Sequence, residues 1–335
     1  MNGVIGMTSL LLDTALSPEQ RSYVDVIRTS GEALLSIIDD ILDFSKIEAG
    51  KLELEHQPFQ LRTCVETAID MVSHRAIEKQ IELIYFMDHD VPERIIGDEN
   101  RMRQVLTNLL NNAVKFTDQG EVVVRVQCQE NAAVADQTSD PLLAAKVSFQ
   151  LHISIQDTGI GIPADKMDQL FQSFNQLGAS TARKYGGSGL GLTISKQLTE
   201  MMNGAMWAQS SGVPGEGTIF HIRLNIEPDP QPVQNSRRSA LPALVGRKML
   251  AVDDNATSRE MLIRHAMRWK MEVDTAESAG AALEKMRNDM FDLVLIDAHL
   301  PDMDSEDFAK LIRRLPNGKM LPLVLMIPLG QRKGR

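Results

Sequence analysis

Cysteine is scarce in this sequence of 335 residues, and long apolar runs are absent. The two cysteines, Cys64 and Cys128, cannot build a disulfide framework and lack metal-ligand spacing, which favours buried thiols in a reducing compartment. No apolar stretch approaches the ~20 residues that a membrane-spanning helix needs. The N-terminal residues lack the pattern of a signal peptide, so we expect none. We therefore expect a cytoplasmic chain without membrane contact, which is compatible with a longer parent protein anchored through a missing N-terminal part.

Basic charge is also in deficit. The chain has 35 Lys and Arg against 45 Asp and Glu, a formal net charge of -10. Binding of nucleic acid requires a basic stripe, and the short basic runs here are Arg237-Arg238 and the last five residues. We therefore expect no nucleic-acid partner.

The length predicts two or three domains, because single cores rarely grow far beyond ~150–200 residues. A proline-rich stretch, 228–246, has the composition of a linker. It separates a mixed helix and strand segment, 57–227, from a C-terminal segment, 247–335, in which strands and helices alternate. Residues 1–56 show helical patterns alone. Alternation in the last segment predicts a doubly wound parallel α/β sheet, with its functional groups at the carboxyl ends of the strands.

The first segment is predicted to be a helical hairpin. Ser17-Pro18-Glu19-Gln20 combines a capping serine, a proline at the first helical position and a glutamine three residues after the cap, so the second helix should start near Pro18. Spacings of four and three then mark a seam formed by Tyr23, Ile27, Ser30, Leu34, Ile37, Ile41 and Phe44. A second apolar stripe beside it favours a homodimeric four-helix bundle. An intramolecular hairpin remains the alternative.

In the second segment, a helix predicted near 98–115 carries a polar stripe of Gln104, Asn108, Asn112 and Lys115. Amide oxygens are hard ligands that suit Mg²⁺, and lysine supplies a positive charge for phosphate. Such a stripe alone is more often a solvated helix face. Its interpretation therefore depends on what surrounds it.

Three glycine motifs follow the asparagine helix. Asp157-Thr-Gly159-Ile-Gly161 comes directly after a predicted strand near 146–156, which pairs with another near 121–129 across a long polar loop, 131–141. Gly187-Ser-Gly189-Leu190-Gly191 opens a further helix, and Gly215-Glu-Gly217-Thr218 precedes a strand near 218–226. Glycines allow backbone amides to approach phosphate, and a helix N-terminus favours anions.

In this order the elements resemble the conserved boxes of histidine-kinase catalytic domains, an α/β sandwich in the superfamily of gyrase-type ATPases. The resemblance implies that Asn108 and Asn112 serve magnesium and the phosphates, and that Asp157 pairs with the adenine amino group. Gly159 and Gly161 would shape the base pocket. Arg183 and Lys184 either add charge to a lid or lie in a solvated loop. The expected ATP-binding set is Asn108, Asn112, Lys115, Asp157, Gly159, Gly161, Arg183, Lys184, Gly187, Gly189, Leu190, Gly191 and Thr218, with Asn112 holding magnesium through ATP.

Hydrolysing relatives carry a glutamate where this chain has Asn108, so the general base for water is missing and phosphoryl transfer to a side chain is favoured. The segments 1–7 and 44–50 resemble the two ends of the family's dimerisation and phosphoacceptor hairpin. The phosphorylated histidine of relatives would lie before residue 1, so we assign no catalytic residue. The simplest explanation is a fragment of a longer protein.

The C-terminal segment resembles a response-regulator receiver. Asp253 and Asp254 follow one predicted strand and Asp297 follows another, so three carboxylates should meet at the sheet edge, where Asp253 and Asp254 would bind magnesium and Asp297 would accept the phosphoryl group. The segment departs from the receiver pattern at Ser305 and at Ile327-Pro328, and it ends before the strand that carries a lysine. We therefore expect an incomplete, truncated receiver that serves as a docking module.

Together these features predict the ATP-dependent protein-histidine kinase core of a two-component phosphorelay. It would transfer the γ-phosphoryl group of Mg·ATP to a histidine and onward to a receiver aspartate. The expected cofactors are ATP and Mg²⁺, and the expected partners are a second copy of the chain and a response regulator or further phosphorelay domain. The alternative is a catalytically silent nucleotide-binding scaffold that dimerises and docks a response regulator. A chaperone-like or DNA-repair ATPase is disfavoured by Asn108 and by the receiver.

Overall fold

The computed structural model describes four stretches of the chain, residues 1–131, 148–175, 189–230 and 243–327. Helices α1 (Asn2–Leu12) and α2 (Pro18–Glu48) form the predicted hairpin. The Gln20 N–H donates to the Ser17 hydroxyl and the Ser17 N–H donates to the Gln20 side chain, so α2 begins at Pro18 as predicted. Within the described stretches, no helix is both long and apolar enough to cross a bilayer.

The central unit is a mixed sheet with helices on one face. Six of its strands run in the order β1-β3-β7-β5-β4-β2, and the seventh strand, β6, pairs with β7 outside this order. The strands are β1 (Gln57–Gln60), β2 (Ile81–Met87), β3 (Arg94–Gly97), β4 (Gly120–Asn131), β5 (Ser148–Asp157), β6 (Gly204–Ser210) and β7 (Thr218–Pro228). The helices are α3 (Leu61–Glu78), α4 (Glu99–Phe116), the short α5 (Ala164–Met167) and α6 (Gly191–Met201).

Alternation along the strands separates the two faces of this sheet. Leu151, Ile153 and Ile155 of β5 are fully buried and pack in the core with α3, α4 and α6. The intervening residues, such as His152 and Gln156, point to the opposite face, which we call the outer face. The helices therefore leave the outer face of the sheet open to other contacts.

The long elements of this unit were predicted, whereas three short strands were not. Helix α4 and strands β4, β5 and β7 agree with their predicted positions to within about two residues. Strands β1, β3 and β6 escaped prediction because they are short and two of them pair with residues more than 30 positions away. The predicted loop at 131–141 lies almost wholly outside the described residues.

The C-terminal unit is a parallel sheet in the order β11-β10-β8-β9. Its elements are β8 (Lys248–Val252), α7 (Ala256–Arg268), β9 (Glu272–Ala276), α8 (Ala279–Asn288), β10 (Leu293–Asp297), α9 (Ser305–Arg314) and β11 (Leu323–Met326). The expected alternation of strand and helix is therefore present. Parallel pairing brings the ends of β8 and β10 to one edge, as the sequence predicted.

The central unit contacts the other two units through opposite sides. On the helical side, the Asp43 carboxylate of α2 accepts bonds from Arg101 Nη1 at 2.7 Å and Gln104 Nε2 at 2.9 Å. On the outer face, helix α7 packs against β2 and β4, where Met261 joins Phe86 and Val123 in a buried cluster.

Candidate nucleotide and phosphoryl site

The asparagine helix α4 and the glycine-led helix α6 are joined at the predicted phosphate site. Asn108 Nδ2 donates to the Ser195 hydroxyl of α6 at 2.8 Å. A Cβ at Gly191, the first residue of α6, would lie 2.5 Å from Asn108 Oδ1. A larger residue here would force the Asn108 side chain to move, so glycine lets the N-terminus of α6 approach it closely. Asn112 lies one turn further along the same face of α4.

Asp157 lies at the end of β5, where it is 4% exposed. Its Oδ1 accepts the N–H of Gly159 at 2.9 Å and the N–H of Thr218 at 3.3 Å. Burial raises the pKa of Asp157 to about 6, against the lowering effect of these two amide bonds. The result is an oriented carboxylate that is ionised at neutral pH.

Two glycines allow the chain to fold closely around Asp157. Gly217 has φ +66°, and a Cβ there would lie 1.9 Å from the Asp157 carbonyl oxygen. A Cβ at Gly159 would lie 2.3 Å from the carbonyl oxygen of Phe116 at the end of α4. The two glycines therefore let the Gly215-Glu-Gly217-Thr218 motif and the C-terminal end of α4 pack closely against Asp157 and Gly159, where the adenine pocket is predicted.

The second glycine motif is described from Gly189 onward. Gly189 has φ +69°, and its carbonyl accepts the N–H of Phe174 at 3.2 Å. Leu190 is 1% exposed and anchors the start of α6 in the core. Of the expected ATP-binding set, Arg183, Lys184 and Gly187 lie outside the described residues.

The polar stripe on α4 divides into two parts. Gln104 bonds to Asp43 of the hairpin, so the structure places it at the contact with α2. The Lys115 ammonium lies 5.0 Å from the centre of the Phe116 ring, and burial, followed by the charge of Arg75, lowers its pKa. The interpretation of one continuous phosphate stripe is therefore wrong for Gln104.

Sequence reasoning missed three hydroxyl residues that support this site. Ser195 bonds Asn108, as described above. Ser210 accepts the Ile162 N–H at 2.8 Å and donates to the Gly217 carbonyl at 2.7 Å, which ties two glycine motifs together. The Thr158 hydroxyl accepts the Glu121 N–H at 3.0 Å. A usable signal was present for Ser195, which stands one helical turn after Gly191 and therefore on the same face of α6.

The three aspartates of the C-terminal unit do lie at one edge of its sheet. Asp253 accepts bonds from the Asn255 N–H and the Ser258 hydroxyl, and Asp297 Oδ2 accepts the His299 N–H at 3.0 Å. Burial raises the pKa of Asp253 and of Asp297, and each is raised further by a neighbouring carboxylate. Among the described residues, however, no three acidic, His or Cys side chains are close enough together to hold a metal ion. The magnesium site at Asp253 and Asp254 therefore stays a prediction.

Three family models match successive parts of the chain. Residues 1–50 match the His Kinase A (phospho-acceptor) domain, residues 97–228 match the histidine kinase-, DNA gyrase B- and HSP90-like ATPase, and residues 249–327 match the response regulator receiver domain. The chain carries the three domains of a hybrid sensor histidine kinase. The predicted fold classes of the three units of this kinase chain are confirmed by these matches.

Curated relatives and a solved structure agree with this assignment. The chain is 40% identical over 262 residues to the sensor histidine kinase GacS of Pseudomonas protegens, which is 78% of this chain and 27% of that protein. It is 35% identical over 319 residues to the autoinducer 2 sensor kinase/phosphatase LuxQ of Vibrio parahaemolyticus, covering 94% and 36%. The crystal structure of full-length ShkA in complex with AMPPNP has a TM-score of 0.68 at 29% identity and covers 97% of this chain and 65% of that one. The chain thus spans about a third of the length of its curated relatives.

Proposed function

We propose that this chain is the ATP-dependent kinase core of a phosphorelay, which transfers the γ-phosphoryl group of Mg·ATP to a histidine and then to a receiver aspartate. The observation that carries the proposal is the fixed carboxylate of Asp157 next to the junction of Asn108 with α6. The second oxygen of such a carboxylate can accept a hydrogen bond from the adenine amino group. The asparagine amides and the start of α6 then lie where the phosphates would extend.

Phosphoryl transfer depends on positioning and on neutralisation of charge. We assign Asn112 to magnesium, because its amide oxygen is a suitable ligand and it follows Asn108 on the same helix face. Bound magnesium neutralises charge on the transferring phosphoryl group. The N–H groups at the start of α6 would bind phosphate oxygens, and Lys115 would add positive charge.

Transfer to a side chain is favoured over hydrolysis by the local chemistry of Asn108. Its amide is neutral and donates to Ser195, so it cannot remove a proton from water. The acceptor histidine belongs to the hairpin of this family, and the ATP-binding unit is held against that hairpin by Asp43, Arg101 and Gln104. We propose Asp297 as the final acceptor, with Asp253 and Asp254 as its magnesium ligands.

The hairpin also supports a homodimer. Its seam residues remain accessible in the single chain, with Tyr23 59%, Ile27 49% and Leu34 46% exposed. Burial of these side chains against a second copy would complete a four-helix bundle. We propose domain boundaries near residues 56, 227 and 246, and a response regulator or further phosphorelay domain as the downstream partner.

The test supplies the purified chain with Mg·ATP labelled at the γ-phosphorus and a separate dimeric hairpin that contains a histidine. We expect saturable nucleotide binding and acid-labile label on the hairpin. Transfer should be lost in Asn112→Ala and retained in Asn111→Ala, a matched change at the neighbouring position of α4. Release of inorganic phosphate without label on the hairpin would refute the proposed transfer, and failure of the unmodified chain to bind Mg·ATP would refute the nucleotide site.

A further inference from the structure

The outer face of the central sheet carries an apolar patch that its own unit does not cover. Phe86 of β2 and Val123 of β4 are 3% and 1% exposed, although both point away from the helices of the central unit. The corresponding outward positions of β5 are polar, as at His152 and Gln156. The apolar side chains therefore occur where helix α7 of the receiver seats Met261 between the strands.

Polar contacts fix both ends of α7 on this surface. At its C-terminal end, Arg268 Nη2 lies 2.8 Å from Asp88 Oδ1, and the guanidinium stands 5.7 Å from the centre of the Phe86 ring. The His265 ring meets Phe86 edge to face at 5.0 Å. At its N-terminal end, Glu121 accepts Asn255 Nδ2 at 2.7 Å and the Thr257 hydroxyl at 2.8 Å. The docked position is thus specified by an apolar contact and by two groups of polar bonds.

Glu121 bonds to the receiver through its side chain and to Thr158, the neighbour of Asp157, through its backbone. Its N–H donates to the Thr158 hydroxyl at 3.0 Å, and its carbonyl accepts the Thr158 N–H at 3.2 Å. Thr158 stands between Asp157 and Gly159, the residues proposed to hold the adenine base. On the receiver side, the Asn255 that bonds Glu121 also donates its N–H to Asp253 at 2.9 Å. A continuous series of bonds therefore links the aspartate edge of the receiver to the base pocket.

We propose that the receiver docks through α7 on the outer face of the ATP-binding sheet and that docking raises nucleotide affinity by holding Glu121 and the adjacent base pocket in place. The inference rests on the proposed nucleotide site and adds its regulation. Fixing Glu121 by two hydrogen bonds restricts the strand ends that carry Thr158 and Asp157, so less ordering remains to occur when nucleotide binds. Because coupling between two sites is reciprocal, nucleotide should also strengthen docking.

The test uses the full chain, with Mg·AMPPNP as the probe in calorimetric titrations. Docking is followed separately by the nuclear magnetic resonance signals of the His265 ring, which the neighbouring Phe86 ring shifts in the docked state. Arg268→Asp and Asp88→Arg should each remove this shift and weaken AMPPNP binding at least about fivefold, the lower end of typical couplings. The double variant, Arg268→Asp with Asp88→Arg, reverses the ion pair and should restore both the His265 shift and the AMPPNP affinity. Arg264→Asp is the matched control on the same helix, because Arg264 pairs with Glu260 in α7 itself, and it should change neither.

The outcomes separate this inference from the proposed function. If the unmodified chain fails to bind AMPPNP, the nucleotide site is refuted and the inference fails with it. If the chain binds AMPPNP but His265 shows no Phe86 shift, or if the shift is lost while affinity stays within about twofold, the inference alone is overturned. If Arg268→Asp leaves the His265 shift intact, Met261→Asp replaces it as the test variant, because it places a charge against Phe86 and Val123. Met261→Asp should then remove the shift and weaken AMPPNP binding to the same extent.

Discussion

Replacement of Asp157 by asparagine tests the nucleotide site by removing charge while preserving shape. Burial raises the pKa of Asp157 from 3.8 to about 6, so the folded state binds the proton more tightly than the unfolded state. The free energy of unfolding that is lost by burying the ionised carboxylate grows as the pH rises from 3.8 to about 6, and it reaches its full value above that range. It amounts to at most ~3 kcal/mol. The asparagine oxygen can still accept the amides of Gly159 and Thr218, so we expect Asp157→Asn to increase the free energy of unfolding by about 1–3 kcal/mol at pH 7.5 and to give no increase below pH ~4.

The same substitution should weaken nucleotide binding. Asparagine presents an N–H donor to the adenine amino group, itself a donor, in place of a carboxylate acceptor. Loss of a hydrogen bond to a charged group, ~1.5–3 kcal/mol, corresponds to about 10- to 150-fold in Kd. Calorimetric titration with Mg·ATP and thermal unfolding between pH 4 and 8 measure the two effects on the same samples. A variant of unchanged Kd would refute the role of Asp157.

Asp98→Asn provides a matched control for this experiment. Asp98 is 6% exposed and accepts the Arg101 N–H as the cap of α4. Asparagine caps helices about as well as aspartate, so α4 should remain in place. We expect Mg·ATP affinity within about twofold of the unmodified chain. Weakening equal to that of Asp157→Asn would show that loss of any buried carboxylate near α4 disturbs the site.

Three further predictions address the same site. Gly217→Ala should lower the unfolding free energy by more than ~2 kcal/mol, because its Cβ would meet the Asp157 carbonyl, whereas Gly215→Ala has open space and should cost less in thermal unfolding. Asn112→Ala should weaken ATP binding about 10-fold with magnesium and little without it, and Asn111→Ala should change neither titration. ATP affinity of the unmodified chain should fall as the pH drops below about 6, where Asp157 gains a proton, and this fall should be absent from titrations of Asp157→Asn. Equal losses of stability in Gly217→Ala and Gly215→Ala, or equal losses of ATP affinity in Asn112→Ala and Asn111→Ala, would contradict the assigned roles of Gly217 and Asn112.

Much of the candidate site was visible in the sequence because glycine has few substitutes. Gly159, Gly191 and Gly217 stand where a Cβ would lie within 2.5 Å of another atom, so the motifs record close contacts directly. Ser195 and Thr158 were not predicted, because serine and threonine occur in many surroundings. Their roles depend on Asn108 and Glu121, which lie 87 and 37 residues away along the chain. The same limit applies to Gln104, whose helical position suggested phosphate and whose actual partner is Asp43 of the hairpin.

The sequence by itself determined the order of the three units and the start of α2, since caps and periodicity act over a few residues. Tertiary structure alone decided what covers each face. Phe86 and Val123 are ordinary strand residues in the sequence, and their burial follows from Met261, more than 130 positions later. Pairing over such distances depends on the shapes and charges of completed surfaces, which no local pattern encodes. The contact of the receiver with the ATP-binding sheet is therefore a property of the folded chain.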